Sequence, residues 1–230
     1  MANTQKLISV LGDSISTFDG YTPPGGVYYG PSFGSITGVY TPEDTWWMQV
    51  IRALDGALLA NNSWSGSTVS MVGSLPACSP SRIRKLAAEG MTPDHILILA
   101  GLHDVNMYAE PQAFGADYQR MLQRIREAYP QADVTCGTLT TGYLSNTPFT
   151  HQLGHVRDRL DPYNQAIRAA AAAAGYRLAD IARLDRRYAS MDGLHPNGEG
   201  MKQLARFWLE TTADLGAASI VPHPAPEKQR

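Results

Sequence analysis

Short apolar runs alternate along this chain with longer segments in which apolar residues recur at helical spacing. Runs of the first kind suit strands buried on both faces of a parallel sheet, and segments of the second kind suit the helices that cover it. Strands are expected at Lys6–Leu11, Ala57–Asn61, His95–Ala100, Asp133–Thr138 and Arg177–Ala179. Helices are expected over Thr45–Leu54, Pro80–Glu89, Pro111–Tyr129, Val156–Ala174 and Gly198–Leu215, with Pro, Gly, Asp or Asn at their boundaries. The pattern predicts a three-layer α/β/α domain over residues 1–216, built on a five-stranded parallel sheet. A Pro-rich tail over 217–230, with Pro222, Pro224 and Pro226, is expected to lie outside the core.

In sheets of this type the loops at the carboxyl ends of the strands converge on a crevice, and ligands bind there. The residues that end the strands therefore carry most of the functional information. Asp19–Pro42 is rich in Gly, Pro and Tyr and has little periodicity, so it reads as an ordered lid or insertion beside the crevice. Its rings, Tyr21, Tyr28, Tyr29, Phe33 and Tyr40, either line a pocket or pin the loop down.

The first strand runs into Gly12-Asp13-Ser14-Ile15-Ser16, which seats a hydroxyl at a strand end. A serine hydroxyl is nearly unreactive at neutral pH unless a base takes its proton, so a histidine in a comparable position is needed. Asp192-Gly193-Leu194-His195-Pro196 supplies it just before the last helix. Asp192 stands three residues before His195, close enough to hydrogen-bond the imidazole and select the tautomer whose free nitrogen faces Ser14. Alone, each segment is an ordinary turn; their joint occurrence at opposite ends of the chain is what points to chemistry.

These two segments resemble the first and last blocks of the SGNH, or GDSL-type, hydrolase family, whose members are esterases, lipases, carbohydrate deacetylases and acyl thioesterases. Asn61-Asn62-Ser63-Trp64-Ser65-Gly66-Ser67 resembles the second block, in which a glycine donates its backbone N–H to the oxyanion; here that glycine is Gly66. The resemblance runs nearly end to end and implies a flavodoxin-like fold and no metal or organic cofactor. It also implies an acyl-enzyme on Ser14, with His195 as base and Asp192 as its carboxylate. Asp13, Trp64 and Tyr143 are candidates for contact with a small-molecule ester substrate.

The third block departs from the family. Gly-x-Asn-Asp is expected there, and the chain has Gly101-Leu102-His103-Asp104. Three readings follow: His103 donates a ring N–H to the oxyanion; it points elsewhere and leaves two backbone donors; or the site is rebuilt, leaving a ligand-binding protein. Asn62 and Asn106 are poorly placed to supply the missing amide. Asp104 either tethers the loop through backbone N–H groups or caps a helix.

Of the remaining residues, at least one of Trp46 and Trp47 should face the core, and His151 and His155 fall in an edge loop. Asp180 ends the fifth strand, with a spacing to His195 inferior to that of Asp192. A metal site built from His95, His103 and Asp104 is disfavoured, because a strand separates the two histidines.

Composition narrows the picture further. A formal charge of -2 gives no field to draw nucleic acid or an anionic membrane. No apolar stretch approaches the roughly 20 residues of a spanning helix. The opening MANTQKLISVLGDS lacks a signal-peptide pattern, so a cytoplasmic location is expected. Cys78 and Cys136 read as two ordinary thiols.

Overall fold

A computed structural model describes residues 5–73, 75–145 and 154–213. Its central sheet holds β1 (Lys6–Gly12), β2 (Gly56–Asn61), β3 (His95–Leu99) and β4 (Asp133–Gly137), with two short strands, β5 (Gly142–Leu144) and β6 (Arg177–Ala179), following. The order is β2-β1-β3-β4-β6, every neighbouring pair parallel. The five strands expected from the sequence are these five, within a residue at each end. All five residues of β3 are buried, which is why that strand reads as an unbroken apolar run. A seventh strand, β7 (Tyr188–Ser190), pairs in parallel with β5 in a separate ribbon that the sequence did not announce. Three residues leave too little pattern to detect.

Among the described residues seven α-helices fill the connections: α1 (Gly34–Thr37), α2 (Trp46–Ala53), α3 (Pro80–Arg84), α4 (Leu102–Asn106), α5 (Pro111–Ala128), α6 (Leu160–Ala174) and α7 (Gly198–Thr212). Helix α2 starts where the Thr45 hydroxyl accepts the Met48 N–H and buries Trp46, Trp47, Val50 and Ile51. It packs on α7, with Trp46 and Trp208 ring centroids 4.9 Å apart. Helix α5 packs on α6 and α3 to form a second helical layer, with Phe114 meeting Tyr163 edge-on at 5.1 Å. Both tryptophans of the pair Trp46-Trp47 are thus core residues.

Two expected helices are shorter than their patterns. Pro80–Glu89 becomes α3, ending at Arg84, because Glu89 (φ 52°) and Gly90 (φ 76°) turn left-handed and Ala88 bridges Met91. The Tyr129 hydroxyl donates to the carbonyls of Ile83 and Arg84 at 2.8 and 3.2 Å, which also accept the Leu86 and Ala87 N–H groups. Val156–Ala174 begins as a 3-10 segment, Gly154–Arg159, and becomes α-helical only at Leu160. His155 belongs to that segment; His151, Leu215 and the tail over 217–230 lie outside the described residues.

The strand order places a switch point at β1, since β2 lies on one side and β3 on the other. The chains leaving β1 and β3 diverge there and open a crevice between them. Ser14 follows β1, Gly66 follows β2 and His103 follows β3. Three distant stretches of sequence therefore meet at one edge of the sheet.

Candidate active site

Ser14 begins a 3-10 turn that several groups hold in place. Asp13 Oδ1 accepts the Ile15 N–H at 3.2 Å, Asn61 Nδ2 donates to the Ser16 carbonyl at 2.8 Å, and Trp46 Nε1 donates to Ser16 Oγ at 3.1 Å. The Thr17 hydroxyl donates to the Ser14 carbonyl at 2.9 Å. The Ser14 hydroxyl itself is left facing His195 Nε2, 2.8 Å away.

The histidine is fixed from its other side by one carboxylate doing two jobs. Asp192 Oδ1 accepts the backbone N–H groups of Leu194 and His195 at 2.9 and 2.7 Å, while Oδ2 stands 2.7 Å from His195 Nδ1. A carboxylate only accepts, so Nδ1 carries a proton, and in the neutral ring Nε2 turns its lone pair to Ser14. Burial alone would raise the Asp192 pKa, but the hydrogen bond and charge of His195, with the two backbone donors, hold it below the usual carboxylate value. The carboxylate is ionised at neutral pH. The loop around it is tied by Tyr188 and Tyr29, whose hydroxyls donate to the carbonyls of Leu194 (2.6 Å) and Pro196 (2.9 Å).

Gly66, after β2, and His103, after β3, come together at the same edge of the sheet as Ser14. Gly66 has φ +76°, the left-handed region that favours glycine, and a Cβ built there would stand 4.0 Å from His103 Nε2. His103 lies in the first turn of α4, and burial lowers its pKa, with the charge of Asp104 opposing and that of His195 adding to the shift. The imidazole is therefore neutral at physiological pH and carries one ring N–H. Asp104 tethers the neighbouring loop, accepting the N–H groups of Val69 and Ser70 at 2.7 and 3.0 Å. Asn62 is engaged elsewhere, its Oδ1 bound by Arg82.

Arg82 was not legible in the sequence. It is 4% exposed and donates to the carbonyls of Gly12 (3.2 Å), Asn62 (2.6 Å) and Leu75 (2.6 Å) and to Ser67 Oγ (2.8 Å). It thus ties the end of β1 to the loop that carries Gly66. Burial lowers its pKa to about 10, and the charge of Asp13 works against that shift. Its partners are mostly carbonyls up to 70 residues away, so no local motif signals its role.

The three candidates for substrate contact differ in exposure. Asp13, a candidate substrate contact, is 2% exposed and serves the turn instead. Trp64 is half-buried with its ring against Gly26, and the adjacent Ser65 N–H donates to the Gly26 carbonyl at 2.8 Å, so this stretch clamps the loop Asp19–Thr41. Tyr143 lies on β5 with its side chain exposed and its carbonyl accepting the Ser190 hydroxyl at 2.7 Å. Asp180 forms a forked ion pair with Arg168. His95 is buried beside Thr135 at the amino end of β3, and burial lowers its pKa to about 4. Among the described residues no group of three or more His, Cys, Asp and Glu could hold a metal ion, and both cysteines are free and buried.

The buried Asp13 gives a stability prediction. Burial raises its pKa from 3.8 to about 6, despite the hydrogen bond from Ile15, so the folded protein holds this proton more tightly than the unfolded chain. The associated stability is fully present below pH 3.8 and is lost as pH rises through about 6. About two units correspond to about 3 kcal/mol. Asp13→Asn keeps the acceptor for Ile15 and should gain up to about 3 kcal/mol on wild type between pH 4 and pH 8, read by urea unfolding. Parallel pH profiles for the two proteins would exclude Asp13 as the titrating group.

A serine, a histidine and an aspartate joined by hydrogen bonds at the carboxyl edge of a parallel sheet form the arrangement of the serine hydrolase class. The chain belongs to the GDSL-like lipase/acylhydrolase family, whose profile matches residues 10–203. Its fold is similar to that of a GDSL-like lipase structure from Bacteroides ovatus, at 23% identity and a TM-score of 0.65, covering 92% of this chain and 99% of that one. It is also similar to a carbohydrate esterase family 2 enzyme with a carbohydrate-binding domain from Corynascus thermopiles, at 17% identity and a TM-score of 0.60, covering 92% of this chain and 67% of that one. A salicylyl-acyltransferase from a tetracycline biosynthetic pathway shares the fold at 16% identity and a TM-score of 0.61, covering 94% of this chain and 56% of that one. No curated protein matches the sequence. Among the described residues no helix is long and apolar enough to cross a membrane.

Proposed function

We propose that this hydrolase cleaves carboxylic esters through an acyl-enzyme on Ser14. The observation that carries the reading is the unbroken relay from Ser14 Oγ through His195 to Asp192, at 2.8 and 2.7 Å. His195 Nε2 takes the hydroxyl proton as Ser14 Oγ bonds to the acyl carbon, and then gives that proton to the departing alcohol. Water then bonds to the acyl carbon as it gives a proton to the same nitrogen, the bond to Ser14 Oγ breaks as that proton passes to Oγ, and the carboxylic acid leaves. The oxyanion is met by the N–H groups of Ser14 and Gly66 and by the ring N–H of His103. A donor of that kind contributes about 2.7 to 4 kcal/mol to the transition state.

The substrate we propose is a small or medium acyl ester, with an acetylated carbohydrate as one candidate. Exposed apolar side chains in the segments after β2 (Met71, Val72, Leu75) and α4 (Met107), and on β5 (Tyr143, Leu144), support an apolar acyl group in the substrate. Stoichiometric labelling by a fluorophosphonate, lost in Ser14→Ala, is the expected result. No labelling of the folded protein would favour the alternative of a ligand-binding protein.

The approach of His103 Nε2 to Gly66 supports the first of the three readings of the altered third block. His103→Ala should then lower kcat by about a hundred- to a thousandfold and change KM little, because an oxyanion donor acts mainly in the transition state. An unchanged kcat would remove His103 from the oxyanion hole. A faster His103→Asn enzyme would favour the second reading, in which the ring points elsewhere.

A further inference from the structure

The loop Asp19–Thr41 lays one of its rings directly on the base. The Tyr28 phenol lies face to face with the His195 imidazole, with ring centroids 4.0 Å apart and planes 8° from parallel. Several bonds hold it there. The Tyr28 N–H donates to Thr17 Oγ1 at 2.8 Å, and that hydroxyl donates in turn to the Ser14 carbonyl at 2.9 Å. The next residue, Tyr29, is fully buried, accepts the Asp19 N–H at 2.9 Å and donates its hydroxyl to Pro196, one residue beyond the base. The Tyr29 ring also supports the Tyr28 ring edge-on, 5.0 Å away. The stacked ring, the serine turn and the base loop therefore share one frame.

We propose that Tyr28 is a positioning residue for His195, and that its π face stabilises the imidazolium formed when Ser14 gives up its proton. The proposal rests on the serine hydrolase reading above. An aromatic face attracts a cation, and does so more strongly where water is excluded. A neutral imidazole gains much less from the same face. The attraction therefore grows as the proton moves, which is the condition for lowering the barrier rather than tightening ground-state binding. Asp192 and Tyr28 act on this cation from different directions, the carboxylate at the Nδ1 edge and the phenol on the flat face. The stack also opposes rotation of the imidazole away from Ser14.

The test uses the full chain and the phosphonylation of Ser14 by a fluorophosphonate. In that step Ser14 Oγ bonds to phosphorus, fluoride leaves, and the hydroxyl proton passes to His195, so the same imidazolium forms without ester-specific contacts. Tyr28→Phe, which keeps the face, should label within about threefold of wild type. Mono-, di- and trifluorinated phenylalanines at position 28 keep the shape while withdrawing charge from the face. Their maximal labelling rate should fall stepwise, by about tenfold across the series, with the half-saturating probe concentration unchanged. Tyr28→Leu should be at least as slow as the trifluoro variant. A rate that does not change with fluorination overturns the proposal, since a purely structural ring would give that result, and so does Tyr28→Leu labelling at wild-type speed. Should Tyr28→Leu fail to fold, the isosteric fluorinated series still decides. If wild type itself is not labelled, the hydrolase reading and the role of Tyr28 fall together; if it is labelled and the series is flat, only the role of Tyr28 falls.

Discussion

Ser14→Ala is expected to lower kcat for an activated ester by about a millionfold while leaving KM within a few-fold of wild type. In the proposed mechanism the hydroxyl is the atom that bonds to the acyl carbon, and among the described residues Ser14 Oγ hydrogen-bonds to His195 Nε2, at 2.8 Å. The turn that presents it is held by Asp13, Asn61, Thr17 and Trp46 through groups other than that hydroxyl, so the variant should fold as wild type does. Because Ser14 and His195 act as one unit, adding His195→Ala to Ser14→Ala should cost little more. Steady-state rates of the single and double variants check this. A Ser14→Ala enzyme that retained more than about one per cent of wild-type kcat would rule out an acyl-enzyme on Ser14.

Asp192→Asn should lower kcat by about ten-thousandfold, through the tautomer of His195 rather than through folding. The two carboxylate oxygens have separate tasks. Oδ1 receives the Leu194 and His195 N–H groups, and Oδ2 faces Nδ1. An asparagine has one oxygen, and two backbone donors compete for it. With its carbonyl on those donors, its NH2 group faces Nδ1, which must then accept. The ring proton moves to Nε2, where it faces Ser14 and blocks proton transfer. The variant should bind substrate and melt near wild type while turning over very slowly. Asp192→Ala, which removes the ring partner without forcing the tautomer, should be the faster of the two despite being the less conservative change. The reverse order would exclude the tautomer explanation.

Both predictions concern residues that the sequence already marked, and the reason is local. Asp192 and His195 sit three residues apart on one short loop, so their contact needs little help from the rest of the fold. The strands were equally readable, because strands covered on both faces leave apolar runs such as Ile96-Leu97-Ile98-Leu99. Helix ends were less so. The pattern of Pro80–Glu89 continues past Arg84, but the chain turns left-handed at Glu89 and Gly90, while the Tyr129 hydroxyl donates to the carbonyls of Ile83 and Arg84. The loop Asp19–Pro42 was recognisable as an aromatic insertion, yet nothing in its periodicity separated Tyr28, stacked on the base, from Tyr29 in the core or from the exposed Tyr21, Phe33 and Tyr40.

The sequence alone determined the parallel sheet, the serine at the end of its first strand, and the Asp192–His195 pair, because periodicity and short spacing are properties of neighbouring residues. Tertiary structure alone decided which groups surround them. The strand order brings Gly66 and His103, far apart in the chain, within reach of each other, and Arg82 ties Gly12 to the Gly66 loop. It also turns Asp13 inward and sets Tyr28 on His195. Those outcomes depend on packing between segments far apart in the chain, where each partner's identity constrains the other only after both have been brought to the same edge of the sheet.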